Sequence, residues 1–164
     1  MVLEHVQENL TKIFPHVEFA IVKGFTTVPQ EAYNRKRKQY SSGFLLSRLR
    51  DYLEKTDADK ILGITTVDLY VPRLNFVFGE AELNGKLAII SLYRLRQEFY
   101  GKSADQTLFL ERTLKEATHE IGHTFGLTHC SNPFCVMFFS NSILDVDRKH
   151  RDFCQECLKH LYIP

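Results

Sequence analysis

Residues 105–129 read DQTLFLERTLKEATHEIGHTFGLTH, and the fold can be read outward from them. At about 100° per residue, Leu110, Leu114, Ala117, Ile121 and Phe125 fall within roughly 40° of Ile121, which predicts an amphipathic helix from about Asp105 to Phe125 with that stripe in a core. His119 and His123 lie roughly 160–200° from the stripe. A helix that buries one face and offers two imidazoles on the other lines a cleft.

Histidines four residues apart sit one turn apart on one helix face, so both can reach one metal ion. A catalytic zinc needs a third ligand and an open position for water. Gly126 provides a route to that ligand: it can take the left-handed conformation that ends a helix and turns the chain, bringing back His129. Glu120 follows His119 directly and flanks the metal without having to bind it. From there a carboxylate can take a proton from zinc-bound water, whose pKa the metal lowers toward neutrality. The full pattern from His119 to His129 would arise about once in 20,000 shuffles of this composition, rare even against the false-positive risk of short motifs.

Upstream, Val17 to Lys23 reads as a strand closed by Gly24. Leu45, Leu46, Leu49 and Leu53 recur at helical spacing after Ser41 and Ser42, predicting a helix from about Gly43 to Lys55. Ile61 to Val67 is rich in β-branched residues and reads as a well-buried strand. Asn75 to Ala81 and Leu87 to Leu95 read as two more, joined by a turn at Asn84-Gly85. Strand, helix, strand and hairpin together predict a mixed sheet, a parallel βαβ unit with an antiparallel edge. No repeat or low-complexity linker interrupts the 164 residues, so one domain is expected.

The four cysteines, Cys130, Cys135, Cys154 and Cys157, are confined to the C-terminal part. Two closely spaced pairs suit a closed tetrahedral zinc site. Redox disulfides, or His160 in place of one cysteine, are the alternatives that spacing leaves open. The first residues, MVLEHVQENL, lack the basic-then-apolar layout of a secretory signal, and no apolar run approaches the roughly 20 residues that span a bilayer. A cytoplasmic location is therefore expected, where thiols stay reduced. With a net charge of +1 and a pI near 7.7, no basic field argues for nucleic acid.

The histidine motif, followed by Cys130, Cys135-Val136-Met137 and Cys154-x-x-Cys157, resembles the archaemetzincin family of zinc metalloproteases. Residues 63–72 (GITTVDLYVP), 75–81 (NFVFGEA), 90–95 (ISLYRL) and Arg37-x-Gln39-Tyr40 are similar to that family too, so most of the chain is covered. The resemblance implies a compact single-domain α/β metzincin-like fold over residues 1–164, with a mixed sheet, an antiparallel edge strand, a backing helix and an active-site helix. It implies two zinc ions per chain: a catalytic one on His119, His123 and His129, and a structural one on Cys130, Cys135, Cys154 and Cys157. It also makes Met137 a Met-turn residue beneath the histidines. A structural zinc beside His129 would fix the position of that third ligand.

The reading is a zinc metallopeptidase with Glu120 as general base, acting on peptide or protein substrates as a monomer, without nucleic acid or membrane. The alternative is a metal-bound peptide-binding or regulatory module with little hydrolysis, although such a module has no need of Glu120. A purely structural zinc protein is weaker still, because three histidines leave a coordination position open. Metzincin-like enzymes hold extended substrates along the outermost strand of the sheet. Lys86 to Arg96 is either that strand, with Ser91 and Tyr93 on one face and Leu92 and Arg94 on the other, or a core hairpin strand with no ligand role. Asp68 and Glu80 read as polar caps at strand ends, His5, His16, His150 and His160 as surface residues, and Arg35 to Lys38 as a solvated basic loop.

Overall fold

The computed structural model describes residues 1–22, 27–161 and 163. Among them the chain forms α1 (Val2–Ile13), β1 (Tyr33–Asn34), β2 (Gln39–Ser41), α2 (Ser42–Leu53), β3 (Ile61–Thr65), β4 (Leu69–Tyr70), β5 (Gly79–Ala81), β6 (Leu87–Ser91), α3 (Gln106–Thr124), α4 (Ile143–Arg148) and α5 (Gln155–His160). The main sheet has the order β3-β6-β5, with β6 parallel to β3 and antiparallel to β5. A small second sheet has the order β1-β2-β4.

Alternation along β6 builds two cores. Leu87 and Ile89 pack with Leu45, Leu46 and Leu53 of α2 on one face of the sheet. Ile90 packs with Leu114, Ala117 and Ile121 of α3 on the other, where Val6 and Leu10 of α1 and the following Phe14 close the layer from outside. Removing a side chain of this size from water stabilises by roughly 1.5–3 kcal/mol, so these layers fix where α3 lies against the sheet.

α3 starts where Asp105 accepts a hydrogen bond from the Leu108 N–H at 2.9 Å. It ends in paired bonds, Gly126 N–H to the His123 carbonyl (2.9 Å) and Leu127 N–H to the Gly122 carbonyl (3.1 Å), with Gly126 left-handed at φ 92°. Glycine suits that position because a Cβ would be strained there. The hairpin turn adds a clamp, since the Asn84 N–H donates to the same His123 carbonyl at 2.8 Å. The helix is more enclosed than its periodicity predicts. Besides the apolar stripe, Glu116, His119 and Glu120 on its polar side are buried.

The sheet departs from the sequence reading in four places. Residues 17–22 form no strand; the Phe19 carbonyl accepts from the Gln7 side chain of α1, and Val17 and Phe19 pack on the α1–α3 core. Lys23 and Gly24 lie outside the described residues, and the parallel pair is β3 with β6 rather than a pair flanking α2. β3 stops at Thr65 and is half-buried throughout, as an edge position requires. Of Asn75 to Ala81 only the last three residues are strand, Val77 making a single bridge to Leu69.

The fourth departure bears on substrate. β6 stops at Ser91, whose hydroxyl donates to the Val67 carbonyl and accepts from the Tyr93 N–H, bending the chain into a short 3-10 turn at Tyr93–Leu95. β6 is paired on both sides, so Lys86 to Arg96 is not the outermost strand, and its period-two faces end at Ser91. The antiparallel edge is β5.

Candidate metal centre and groove

The last turn of α3 and the loop after Gly126 bring three imidazoles together. Ring centroids are 4.6 Å apart for His119 and His123, 4.8 Å for His123 and His129, and 5.4 Å for His119 and His129. Their candidate ligand atoms all lie within 4.8 Å of one another. His119 Nδ1 lies 2.8 Å from the Val136 carbonyl oxygen, and His123 Nδ1 lies 2.6 Å from that of Leu127. A carbonyl can only accept, so both Nδ1 atoms carry the proton and both Nε2 atoms present lone pairs.

Those two Nε2 atoms are 3.1 Å apart. Two lone pairs facing at that distance repel, and a cation held between them removes the repulsion. Tetrahedral zinc with bonds of about 2.05 Å sets nitrogens about 3.3 Å apart, so the residues fit the ion. Burial lowers the pKa of all three histidines from the ordinary imidazole value, with Lys149 adding to the effect on His119, which keeps the rings neutral as ligands must be.

Glu120 is buried beside His119. Burial first, then the Glu116 carboxylate one turn back, push its pKa well above the ordinary carboxylate range, against the pull of Lys149. Gly79 of β5 makes room for it: a Cβ there would lie 2.6 Å from Glu120 Oε1. A groove of about 370 Å³ passes over the histidines and along β5, walled by Val71, Leu74, Val77, Ala81, Leu83 and Phe139, with Glu80 and Thr128 as polar lining.

The four thiols form a second cluster. Sγ–Sγ separations are 3.8 Å for Cys130 and Cys154 and 3.7 Å for Cys135 and Cys157. A disulfide needs about 2.05 Å, whereas zinc with Zn–S bonds of about 2.3 Å sets sulfurs about 3.8 Å apart. Backbone N–H groups of Asn132, Met137 and Cys154 point to sulfur at 3.4 Å. Cys154 caps α5, and the Cys157 N–H is the largest influence bringing its pKa down to about 7. His160 stands apart from this cluster, bonded to the Glu156 carbonyl.

Met137 is fully buried, its sulfur in the place a side chain at Gly122 would need, under the turn that joins His119 to His123. Asp68 and Glu80 serve different partners: Asp68 takes a two-pronged contact from Arg94 (both 2.7 Å), and Glu80 accepts from Ser42. In the basic loop Arg37 is tied down, donating to the carbonyl of Leu74, which lines the groove, and to that of Pro72. His16, His150 and His160 are exposed, but His5 is half-buried. Sequence reading missed the Val136 and Leu127 carbonyls, which no side-chain pattern encodes. It also missed the Glu116–Lys149 ion pair at 2.8 Å, of which only the Glu116–Glu120 spacing gave a hint.

The family model described as peptidase family M54 matches residues 2–162. An archaemetzincin of Methanocaldococcus jannaschii is 54% identical over 134 residues, covering 82% of this chain and 72% of that protein. The crystal structure of archaemetzincin from Archaeoglobus fulgidus, complexed with malonate, superposes with a TM-score of 0.83 at 43% identity, covering 97% of this chain and 91% of that one. That of a zinc-dependent peptidase from Methanocorpusculum labreanum reaches 0.90 at 34% identity, covering 98% and 93%.

Proposed function

This chain belongs to peptidase family M54 and is a zinc metallopeptidase, and we propose that His119, His123 and His129 hold its catalytic zinc while Glu120 is the general base. The observation that carries this reading is the pair of lone-pair-bearing Nε2 atoms, each set by an Nδ1–H donated to a carbonyl, beside a buried carboxylate that makes no claim on the metal. When bound, zinc supplies a Lewis acid for the scissile carbonyl and acidifies a water. Glu120 takes the proton of the attacking water and hands it to the leaving amine. Its pKa, raised above the ordinary carboxylate value by burial, makes it a stronger proton acceptor than an ordinary carboxylate.

Cys130, Cys135, Cys154 and Cys157 hold a second, structural zinc in this reading, making two ions per chain, and residues 1–164 act as one peptidase domain. Support comes from Sγ spacings that match a tetrahedral Zn–S₄ centre. The substrate lies extended along β5, not along β6. β5 has a free edge among the described strands, and the groove follows it past Glu120. Among the described residues no helix is long and apolar enough to cross a membrane.

The test is a peptide-library cleavage profile with zinc-loaded wild type and Glu120→Ala side by side, with zinc content measured in both. Turnover should fall by several orders of magnitude in the variant while zinc stays bound. Equal cleavage by both proteins would remove Glu120 from the chemistry.

A further inference from the structure

Glu116 and Glu120 stand one turn apart on α3 and both are buried, at 3% and 4% exposure. Like charges at this spacing repel, and burial strengthens the repulsion. Lys149, just past α4 and wholly buried, brings its ammonium 2.8 Å from Glu116 Oε1. The contact is ionic but lacks hydrogen-bond alignment. Glu116 Oε1 and Ser140 Oγ are both closed to solvent, and neither has a hydrogen-bond partner among the described residues.

A recess of about 30 Å³ lies beside these groups, lined by Glu116, Glu120 and Ser140 together with Gly79, Phe78 and Phe139. That volume is enough to admit a water, and buried polar atoms that find no hydrogen-bond partner in the protein are regularly satisfied by one. The donor count balances. A water can accept from the Ser140 hydroxyl and donate one hydrogen to each carboxylate.

We infer that this recess holds a resident water that ties Glu120 to the Glu116–Lys149 pair, making Glu116, Lys149 and Ser140 positioning residues for Glu120. The water holds the Glu120 carboxylate in one orientation. Lys149 offsets the charge of Glu116, so that the second buried acid steadies the first rather than displacing it. The kinetic part rests on Glu120 being the base; the water itself does not.

The test has two arms, both on zinc-loaded full-length protein. A high-resolution crystal structure should show a water within hydrogen-bonding distance of Ser140 Oγ and both carboxylates; a dry recess overturns the inference whatever the enzyme hydrolyses. In kinetics, Ser140→Ala should keep wild-type zinc content, melting temperature and KM while kcat falls about tenfold. The paired variant Glu116→Gln/Lys149→Met, which leaves no unmatched buried charge, should show the same split between kcat and KM. Unchanged kcat in both variants overturns the positioning role, and so does a kcat loss that only tracks lost zinc or lost stability. A wild type that cleaves no peptide at all would defeat the peptidase reading instead, and the crystallographic arm would still decide the water.

Discussion

His119 donates its Nδ1 proton to the carbonyl of Val136, 2.8 Å away, and Val136 sits between Cys135 and Met137. The Val136 N–H in turn donates to the Asp152 carbonyl, two residues before Cys154. The loop that carries the thiol cluster therefore also orients the first imidazole. His123 is set differently, since its acceptor, the Leu127 carbonyl, belongs to the turn that ends its own helix. Loss of the thiol centre should reach His119 and leave the tautomer of His123 intact.

Cys154→Ser should accordingly lower stability severely, because a structural zinc contributes folding free energy directly. It should also weaken metal binding at the histidines by about 10–100-fold, the usual cost of losing an outer hydrogen-bond partner. His123→Ala should abolish metal binding at the histidines and all hydrolysis while the fold largely survives, since His123 is only half-buried at the groove. Thermal melting and zinc stoichiometry separate the two variants. If Cys154→Ser melted like wild type with both zincs in place, the cysteines would need another explanation.

α3 was legible almost to the residue, from about Asp105 to Phe125 in the sequence and Gln106–Thr124 in the structure. Five turns of period and a terminal glycine agree there, and the structure adds the Asp105 cap. The pairing of His119 with His123 was legible too, because four residues along a helix make about one turn. The approach of His129 and of the four thiols to one another comes instead from the loop after Gly126 and the return of the chain at Cys154. The place of β6 was left between a substrate strand and a core hairpin strand although the sequence carried the signal that decides it. Leu87–Ser91 is an unbroken run with every residue buried, the mark of a strand covered on both faces and so central. For residues 17–22 no such signal exists, since β-prone composition does not say whether a carbonyl will meet a strand or, as at Phe19, the side chain of Gln7. Glu116 and Lys149 meet only through the return of α4 onto α3, a tertiary event that local pattern cannot encode.

The pKa directions make a prediction about protons. Lowered histidine pKa values leave the rings neutral at pH 7 and keep them so as pH falls through the ordinary value of 6.5. The raised pKa of Glu120 works the other way, leaving its carboxyl protonated further up from 4.5. With the thiol centre kept loaded, zinc uptake by the histidine site as pH falls from 6.5 toward 4.5 should therefore release protons from Glu120 rather than from imidazole. Calorimetry in buffers of different ionisation heat should show release growing as pH falls in wild type and vanishing in Glu120→Gln. Equal release in the two proteins would place the proton on the histidines and reverse the assignment.

Gly79→Ala tests the packing of the base against the sheet edge. A methyl group there would lie 2.6 Å from Glu120 Oε1, 2.8 Å from its Cγ and 2.7 Å from the Ile89 carbonyl oxygen. Gly79 is not among the positive-φ residues, so the backbone tolerates alanine and the effect is one of contact alone. The Ile89 carbonyl belongs to the central strand and cannot yield, so β5 has to draw away from it and the Glu120 side chain has to move as well. Overpacking of this kind costs about 1–3 kcal/mol of stability. A catalytic group displaced by about 1 Å loses on the order of 100-fold in rate. Zinc content should hold, because His119 and His123 are fixed by carbonyls of Val136 and Leu127 rather than by β5. Gly43→Ala is the control, since a Cβ at that exposed helical position meets nothing within 4 Å. Wild-type kcat in Gly79→Ala, with the control also active, would mean that β5 does not hold Glu120 in place.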